Sequence, residues 1–169
     1  MTVKNSLFAV LLTLTLPVAD VYALSGDKDE PFLVEADSGV VDEQTGTTVY
    51  RGNVTIDQGS LHIMADEIQI VTSDGAVVQI IARAGNKSSR LARLEQQPDN
   101  KDPVFAEARK ISYFIENERI HLSGEATLKQ LNDEFSGELV YYDVAEGIVN
   151  LKSGPANNER IKIKYNSKN

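Results

Sequence analysis

The sequence predicts an all-β protein, and three observations support that fold class. Apolar residues recur with a period of two, while apolar spacing at i, i+3, i+4 and i+7 is not sustained. Tight turns rich in Gly, Asn and Asp, such as Gly52-Asn53 and Glu146-Gly147, separate the alternating segments. The middle of the chain also repeats itself at an offset of 72 residues. We therefore expect roughly 14 to 16 strands of four to six residues, arranged in two sheet layers around a thin aliphatic interior.

The internal repeat aligns residues 33–70 with residues 105–142 without a gap. Four of its paired identities are Glu35/Glu107, Gly52/Gly124, Thr55/Thr127 and Gln58/Gln130. The repeat carries a strand alternation and a turn glycine, but no cluster of reactive side chains. This pattern is typical of a duplicated scaffold and favours binding over catalysis.

Each predicted strand follows from alternation between turns. In the first repeat the strands are Phe32–Ala36, Thr47–Arg51, Val54–Asp57, Leu61–Ala65 and Asp66–Val71. The linker contains a strand at Val77–Ala84, then Arg90–Leu94, which fits either a strand or one helical turn, and a polar loop at Gln96–Pro103. In the second repeat, alternation predicts strands through Ile111–Ile115, Ile120–Leu122 and Ala126–Gln130. Further strands are predicted at Leu139–Asp143, Ile148–Leu151 and Arg160–Tyr165.

The N-terminal residues 1–23 have the pattern of a cleaved secretory signal peptide. Lys4 precedes the apolar stretch Leu7–Leu16, Pro17 ends it, and Val21-Tyr22-Ala23 fits a cleavage site. A membrane-spanning helix needs roughly 20 apolar residues, so an uncleaved anchor is the weaker alternative. We expect a single mature domain, 24–169.

Composition excludes several classes of function. The net charge of −8 argues against a nucleic-acid partner, because binding to phosphate backbones needs a basic face. The chain has no cysteine, so disulfides, thiol catalysis and thiolate metal sites are excluded.

The sequence contains no recognisable catalytic or metal-binding motif. His62 and His121 occupy polar strand positions without a partner at a spacing that suggests a ligand set or general base, so we interpret both as surface histidines. Acidic pairs such as Asp42-Glu43 and Asp66-Glu67 lie at strand starts or turns, where solvated carboxylates are expected. Nucleophile-elbow, phosphate-loop and zinc-protease motifs do not occur. The sequence predicts no enzyme, cofactor or metal site.

The segment Arg160–Tyr165 alternates cations with isoleucines. One interpretation is a protected edge strand, since lysines discourage uncontrolled strand pairing. The other is an end that pairs with a partner's sheet edge or meets phosphate groups of a ligand.

Two segments carry a family resemblance. Pro31–Asp37 (PFLVEAD) is followed by Tyr50–Glu67 (YRGNVTIDQGSLHIMADE). This G-N-V-x-x-x-Q-G-x-x-x-x-x-A-D core resembles the OstA-like family of periplasmic lipopolysaccharide transport proteins. The similarity covers nearly all of the mature chain and is weakest at 73–101 and after Leu151. In Gly85–Leu94 the chain lacks the proline and aromatic cluster expected for the family, so that segment is left out of the predicted site.

The resemblance implies an open β-jellyroll of about 16 antiparallel strands and no catalytic activity. It implies a periplasmic protein that stacks end to end with like folds, and an apolar groove that carries lipid A acyl chains from the inner to the outer membrane. It also implies an LptC-like inner-membrane component at the N-terminal edge and an LptD-like outer-membrane component at the C-terminal edge.

Combined with the alternation, the resemblance predicts which residues face lipid and which form partner edges. The lipid-facing positions are Phe32, Val34, Tyr50, Val54, Ile56, Leu61, Ile63, Ile68, Ile70, Ile111, Tyr113, Ile115, Ile120, Leu122, Leu128 and Phe135. The partner-edge positions are Phe32, Leu33, Val34, Glu35, Ala36, Ile161 and Ile163.

Two other functional classes remain. A soluble lipid shuttle with a closed cavity shares the apolar interior but forms no bridge. A structural or adhesive repeat protein is disfavoured, because two units of 72 residues are too few and too long for a regular solenoid.

Overall fold

A computed structural model describes residues 30–86, 90–98, 101–154 and 160–165. The predicted signal peptide, 1–23, lies outside the described residues. The described residues form twelve antiparallel strands and no helix, which confirms the all-β prediction. The strands are β1 Leu33–Glu35, β2 Ser38–Asp42, β3 Thr47–Gln58, β4 Leu61–Ser73, β5 Ala76–Arg83, β6 Ala92–Gln96, β7 Val104–Ala108, β8 Lys110–Phe114, β9 Arg119–Gln130, β10 Asp133–Asp143, β11 Ile148–Lys152 and β12 Lys162–Lys164.

The strands form two layers that share four long strands. Layer 1 has the order β2, β3, β4, β5, β8, β9, β10, β11, and layer 2 has the order β1, β3, β4, β6, β7, β9, β10, β12. The N-terminal halves of β3 and β9 and the C-terminal halves of β4 and β10 belong to layer 1; their other halves belong to layer 2. Among the described residues, each layer therefore has two free edges, which are β2 and β11 in layer 1 and β1 and β12 in layer 2.

The layers join along one long side of the molecule, which we call the hinge side. The four long strands pass between the layers there, and so do the connections β1–β2 and β7–β8. On the opposite side, which we call the mouth side, the turns β2–β3, β4–β5, β8–β9 and β10–β11 stay within layer 1. The turns β3–β4 and β9–β10 stay within layer 2. The backbone thus ties the layers together mainly along the hinge side.

The strand count differs from the prediction of 14 to 16 because the long strands cross between layers without ending. β3, β4, β9 and β10 are 12, 13, 12 and 11 residues long. The predicted turn at Gly52-Asn53 is a bulge within β3, where the register with β4 shifts between Arg51 and Val54. The ambiguous Arg90–Leu94 segment contributes to a strand, β6.

The first strands of the two halves follow the same 72-residue offset as the sequence repeat. Thr47–Gln58 of β3 corresponds to Arg119–Gln130 of β9, and Ser38–Asp42 of β2 corresponds to Lys110–Phe114 of β8. The bulges also correspond: the Asp37 amide donates to the Gly52 carbonyl at 3.1 Å, and the Arg109 amide donates to the Gly124 carbonyl at 2.8 Å. β1–β6 and β7–β12 are thus two similar halves.

The bulge glycines are sterically required. Gly124 has φ +77°, and a Cβ there lies 2.8 Å from the Arg109 Cβ. Gly147 has a similar φ of +70°, but a Cβ there meets nothing within 4 Å. We expect Gly124→Ala to lower the free energy of unfolding by about 3 kcal/mol, and Gly147→Ala, which adds only backbone strain, by about 1 kcal/mol. Urea unfolding of both variants measures the difference, and equal losses would contradict the steric account.

Candidate functional site

The facing surfaces of the two layers carry continuous rows of apolar residues. In layer 2, one cross-strand row runs from edge to edge through every strand: Val34, Ile56, Ile63, Leu94, Ala106, Leu128, Phe135 and Ile163. Ile56 and Leu128 in its middle are 0% exposed, whereas Ile163 at its end is 41% exposed. The row is therefore closed in the middle and accessible at its C-terminal end.

Layer 1 carries two such rows. The first consists of Gly39, Tyr50, Ile68, Ala82, Ile111, Leu122, Val140 and Leu151. The second consists of Val41, Thr48, Ile70, Ile80, Tyr113, Ile120, Tyr142 and Val149. Val41, at the end of the second row, is 66% exposed. The interior between the layers is thus almost wholly aliphatic, with tyrosines at a few positions.

All sixteen predicted lipid-facing residues lie in this interior. Eleven are buried: Val54, Ile56, Leu61, Ile63, Ile68, Ile70, Ile111, Tyr113, Ile120, Leu122 and Leu128. Five are partly buried and pack against that core: Phe32, Val34, Tyr50, Ile115 and Phe135. Because the buried residues already pack against each other, an apolar ligand reaches them only if the two layers separate.

Several interior residues were missed by the sequence reasoning. Ile80, Leu94, Val140 and Tyr142 are at most 1% exposed. Consecutive apolar or aromatic residues occur at Ile80-Ile81 and at Leu139–Tyr142. In such runs the alternation pattern does not show which side chains point into the interior. Leu94 lay in the segment that had been left out of the predicted site. Its alternation with Ala92 was the signal that could have identified it.

Polar contacts join the two layers along the mouth side. The Tyr142 hydroxyl donates to Gln130 Oε1 at 3.4 Å, and Gln96 Nε2 donates to the Tyr113 hydroxyl at 3.5 Å. Lys101, in the β6–β7 connection, donates to the Val144 and Ala145 carbonyls of the β10–β11 turn. The two side-chain bonds are long for hydrogen bonds and contribute little. In the described residues the layers are thus joined on the mouth side by side-chain contacts, whereas backbone strands join them on the hinge side.

The predicted partner-edge residues lie at the two ends of layer 2. Leu33, Val34 and Glu35 form β1, whose other edge is free, and Phe32 and Ala36 flank it. Ile163 lies in β12, and Ile161 directly precedes it. Leu33, Ile161 and Ile163 are 60%, 43% and 41% exposed. These ends thus combine unpaired strand edges with exposed apolar side chains.

A cavity of about 430 Å³ lies on the outer face of layer 2, and its lining reaches the buried Val54. Its lining includes Arg90, whose guanidinium lies 3.1 Å from the Asp66 carboxylate, and Arg93, which lies 2.8 Å from Glu107. Since each arginine is paired with a carboxylate, this cavity has mixed rather than cationic character.

The histidines are more structured than the sequence suggested. His62 Nδ1 lies 2.5 Å from Asp57 Oδ1, and the His121 ring packs between Phe114 and Tyr141 with centroids 4.8 Å apart. The described residues contain no group of acidic and histidine side chains that could hold a metal ion. Within the described ranges there is also no helix long and apolar enough to span a membrane.

The environment of His121 predicts a pH dependence of stability. Burial lowers the pKa of His121, and the nearby Arg119 charge lowers it further. Between that lowered pKa and the ordinary value of about 6.5, the imidazole is more often protonated in the unfolded chain than in the folded one. The free energy of unfolding therefore rises with pH across this window and falls as the pH is lowered through it. We expect His121→Gln, which is neutral at every pH, to show a smaller difference in unfolding free energy between about pH 5 and about pH 7.5. An unchanged difference would contradict this assignment.

The comparisons with known proteins decide the family. Residues 33–148 match the family described as LptA/(LptD N-terminal domain) LPS transport protein. This chain belongs to that family. The match spans β1 to the first residue of β11, and therefore includes most of both layers.

Individual relatives of the LptA/LptD N-terminal family agree with this assignment. The lipopolysaccharide export system protein LptH of Pseudomonas aeruginosa is 31% identical over 140 residues, which is 82% of this chain and 78% of that protein. LptA of Haemophilus influenzae is 30% identical over 79% of this chain and 77% of its own length. LptA of Escherichia coli K12 is 29% identical over 80% of this chain and 70% of its own.

A solved structure has the same fold. The crystal structure of LptH, described as the LptA-homologous periplasmic component of the lipopolysaccharide transport device of Pseudomonas aeruginosa, superposes with a TM-score of 0.73. It is 27% identical to this chain and covers 85% of it and 100% of the crystallised chain. The predicted resemblance to the lipopolysaccharide transport family is confirmed.

Proposed function

We propose that this protein binds the acyl chains of lipopolysaccharide between its two layers and carries them across the periplasm as one unit of a protein bridge. The observation that carries this proposal is the edge-to-edge apolar row from Val34 to Ile163. A row that ended inside the molecule would serve only as a core. One that reaches both free edges can continue into a neighbouring protein.

The energetics favour an apolar channel that excludes water. Each buried methylene of an acyl chain contributes about 0.8 kcal/mol, so the chains must stay covered at every step of transfer. The sugar and phosphate head can remain in solvent, which agrees with an interior of aliphatic residues and a few tyrosines. We propose that acyl chains enter as the mouth side opens, since in the described residues no strand passes between the layers there and only side chains join them.

The ends of the molecule supply the proposed partner sites. The free edges of β1 and β2 would receive an LptC-like component at the inner membrane, and those of β11 and β12 an LptD-like component at the outer membrane. A sheet edge recruits a partner strand through unpaired backbone donors and acceptors. The names of the relatives, which are lipopolysaccharide export system proteins, support partners from such a system. The assignment of each partner to an edge follows from the family resemblance.

Co-isolation tests the lipid part of the proposal. Affinity-tagged protein recovered from the periplasm is expected to carry lipopolysaccharide, and a variant with Phe135→Asp, at the half-buried end of the apolar row, is expected to carry at least about tenfold less. Phe105→Asp is the control, because Phe105 is 46% exposed, lies on the outer face of layer 2 and belongs to the central strand β7 rather than to a partner edge. Equal recovery with both variants would contradict lipid binding between the layers.

Light scattering separates the bridge from the shuttle. A bridge predicts a mass that rises with protein concentration, because the free edges pair between copies. A strict monomer at high concentration would contradict end-to-end assembly and favour the closed-cavity shuttle.

A further inference from the structure

The two halves of the chain meet at an internal junction that resembles the two free ends. β6 pairs with β7 in layer 2, and β5 pairs with β8 in layer 1. β5 and β6 end the first half, and β7 and β8 begin the second. Their counterparts in the other half are β11 and β12, the last two described strands, and β1 and β2, the first two. The internal junction therefore joins the same kinds of strand that remain free at the ends of the molecule.

Strand direction permits the same junction between two copies. Neighbouring strands are antiparallel throughout each layer, and each layer has eight members. β12 is therefore antiparallel to β1, and β11 is antiparallel to β2. A second copy displaced along the molecular axis places its β1 beside β12 and its β2 beside β11, and both layers continue as antiparallel sheets.

The internal junction also fixes a register. Leu94 of β6 lies opposite Ile63, and Ile163 of β12 lies opposite Phe135, which is the counterpart of Ile63. Ile163 is thus the counterpart of Leu94. Leu94 pairs with Ala106 across the internal junction, and the counterpart of Ala106 is Val34. If two copies meet in the register of the internal junction, Ile163 therefore lies opposite Val34 of the next copy. The interior apolar row then continues from one copy into the next.

At the neighbouring position of β6, the internal junction contains an ion pair. Arg93 lies opposite Glu107 at the internal junction, with Nε and Oε1 2.8 Å apart. Lys162 is the counterpart of Arg93, and Glu35 is the counterpart of Glu107. Both lie on the outer face of layer 2, at opposite ends of a single row: Glu35, Thr55, Met64, Arg93, Glu107, Thr127, Ser136 and Lys162.

The charges of the two ends agree with this pairing. Residues 33–42, which contain β1 and β2, have the carboxylates Glu35, Asp37 and Asp42 and no cation. Residues 160–165, which contain β12, have Arg160, Lys162 and Lys164 and no carboxylate. Ends of opposite charge favour head-to-tail contact and disfavour contact between like ends.

We propose that the contact between neighbouring copies in this bridge has the register of the internal junction, with Ile163 beside Val34 and Lys162 beside Glu35 of the next copy. The Lys162–Glu35 pair takes the place of the internal Arg93–Glu107 pair. This inference rests on the bridge proposed above and assigns its contact residues.

Cysteine cross-linking tests the register directly, because the chain has no native cysteine. Single-cysteine variants are mixed in pairs and oxidised. The matched pairs are Lys162→Cys with Glu35→Cys, and Lys164→Cys with Leu33→Cys. The mismatched pairs are Lys162→Cys with Leu33→Cys, and Lys164→Cys with Glu35→Cys. Directly opposed Cβ atoms lie within disulfide reach, whereas positions shifted by two residues do not.

Matched pairs are expected to form disulfide-linked dimers at least about tenfold faster than mismatched pairs. Equal or faster cross-linking of the mismatched pairs, or no cross-linking at all, would overturn the register. Charge reversal provides a second test. Glu35→Lys is expected to weaken the affinity for a wild-type copy by at least about tenfold, and Lys162→Glu in that other copy is expected to restore it. Absence of that rescue would overturn the ion pair.

The outcomes separate this inference from the proposed function. Loss of the register with lipopolysaccharide still co-isolating overturns the junction alone. Loss of co-isolated lipopolysaccharide from wild-type protein overturns the proposed function, whatever the cross-linking pattern.

Discussion

Cross-linking the mouth side closed is expected to abolish lipopolysaccharide binding. Lys101→Cys and Ala145→Cys place thiols on the two layers at a point where the Lys101 ammonium contacts the Ala145 carbonyl. Both residues lie at the surface of the mouth side, so the substitutions leave the core intact. A short, reductively cleavable bis-maleimide between them prevents the layers from separating. Acyl chains then cannot reach the buried rows.

The measurement compares the same sample before and after cleavage of the cross-linker. Binding of purified lipopolysaccharide is expected to fall at least about tenfold when the layers are linked and to recover on cleavage. The matched control joins Glu95→Cys to Phe105→Cys, which are exposed neighbours within layer 2 and do not bridge the mouth. Full binding by the linked Lys101/Ala145 variant would contradict entry through the mouth side.

A carboxylate in the closed middle of the interior is expected to unfold the protein. Ile63 is 1% exposed, and it lies between Ile56 and Leu94 in the layer 2 row. Ile63→Asp removes that packing and buries a charge without a cationic partner on this face. We expect a loss of more than about 4 kcal/mol, a large part of the stability of a typical domain.

The neighbouring position provides the control. Met64 lies on the outer face, opposite Thr55 and Arg93. Met64→Asp places the same charge in partial contact with water and beside a cation, so we expect a loss of about 1 kcal/mol or less. Urea unfolding measures both. Similar losses for the two variants would contradict the assignment of faces in β4.

The sequence predicted the fold class and the faces of the best-patterned strands. Alternation in Val54–Ile56 and Leu61–Ile63 is strict, because polar residues separate the apolar ones, and these residues are buried as predicted. Where neighbouring residues on both faces are apolar, as at Ile80-Ile81, the alternation pattern does not show which side chain points into the interior. Burial by the second layer decides such positions.

Other features depended on contacts between distant segments. The continuity of β3 through Gly52 could not be predicted, because a glycine in the left-handed region fits a turn as well as a bulge. The polar contacts at the mouth involve Gln96 with Tyr113 and Gln130 with Tyr142, and nothing in the local sequence pairs these residues. The repeat was visible in the sequence, but its use as a template for the ends required the strand registers.

Site-specific photo-crosslinking to lipopolysaccharide tests the central claim most directly. A photoreactive residue at Tyr113 or Ile115, which lie in the interior near the mouth side, is expected to trap lipopolysaccharide in the periplasm. The same residue at Glu35, on the outer face, is expected to trap none. Labelling of equal strength at all three positions would contradict the account that lipid travels between the two layers.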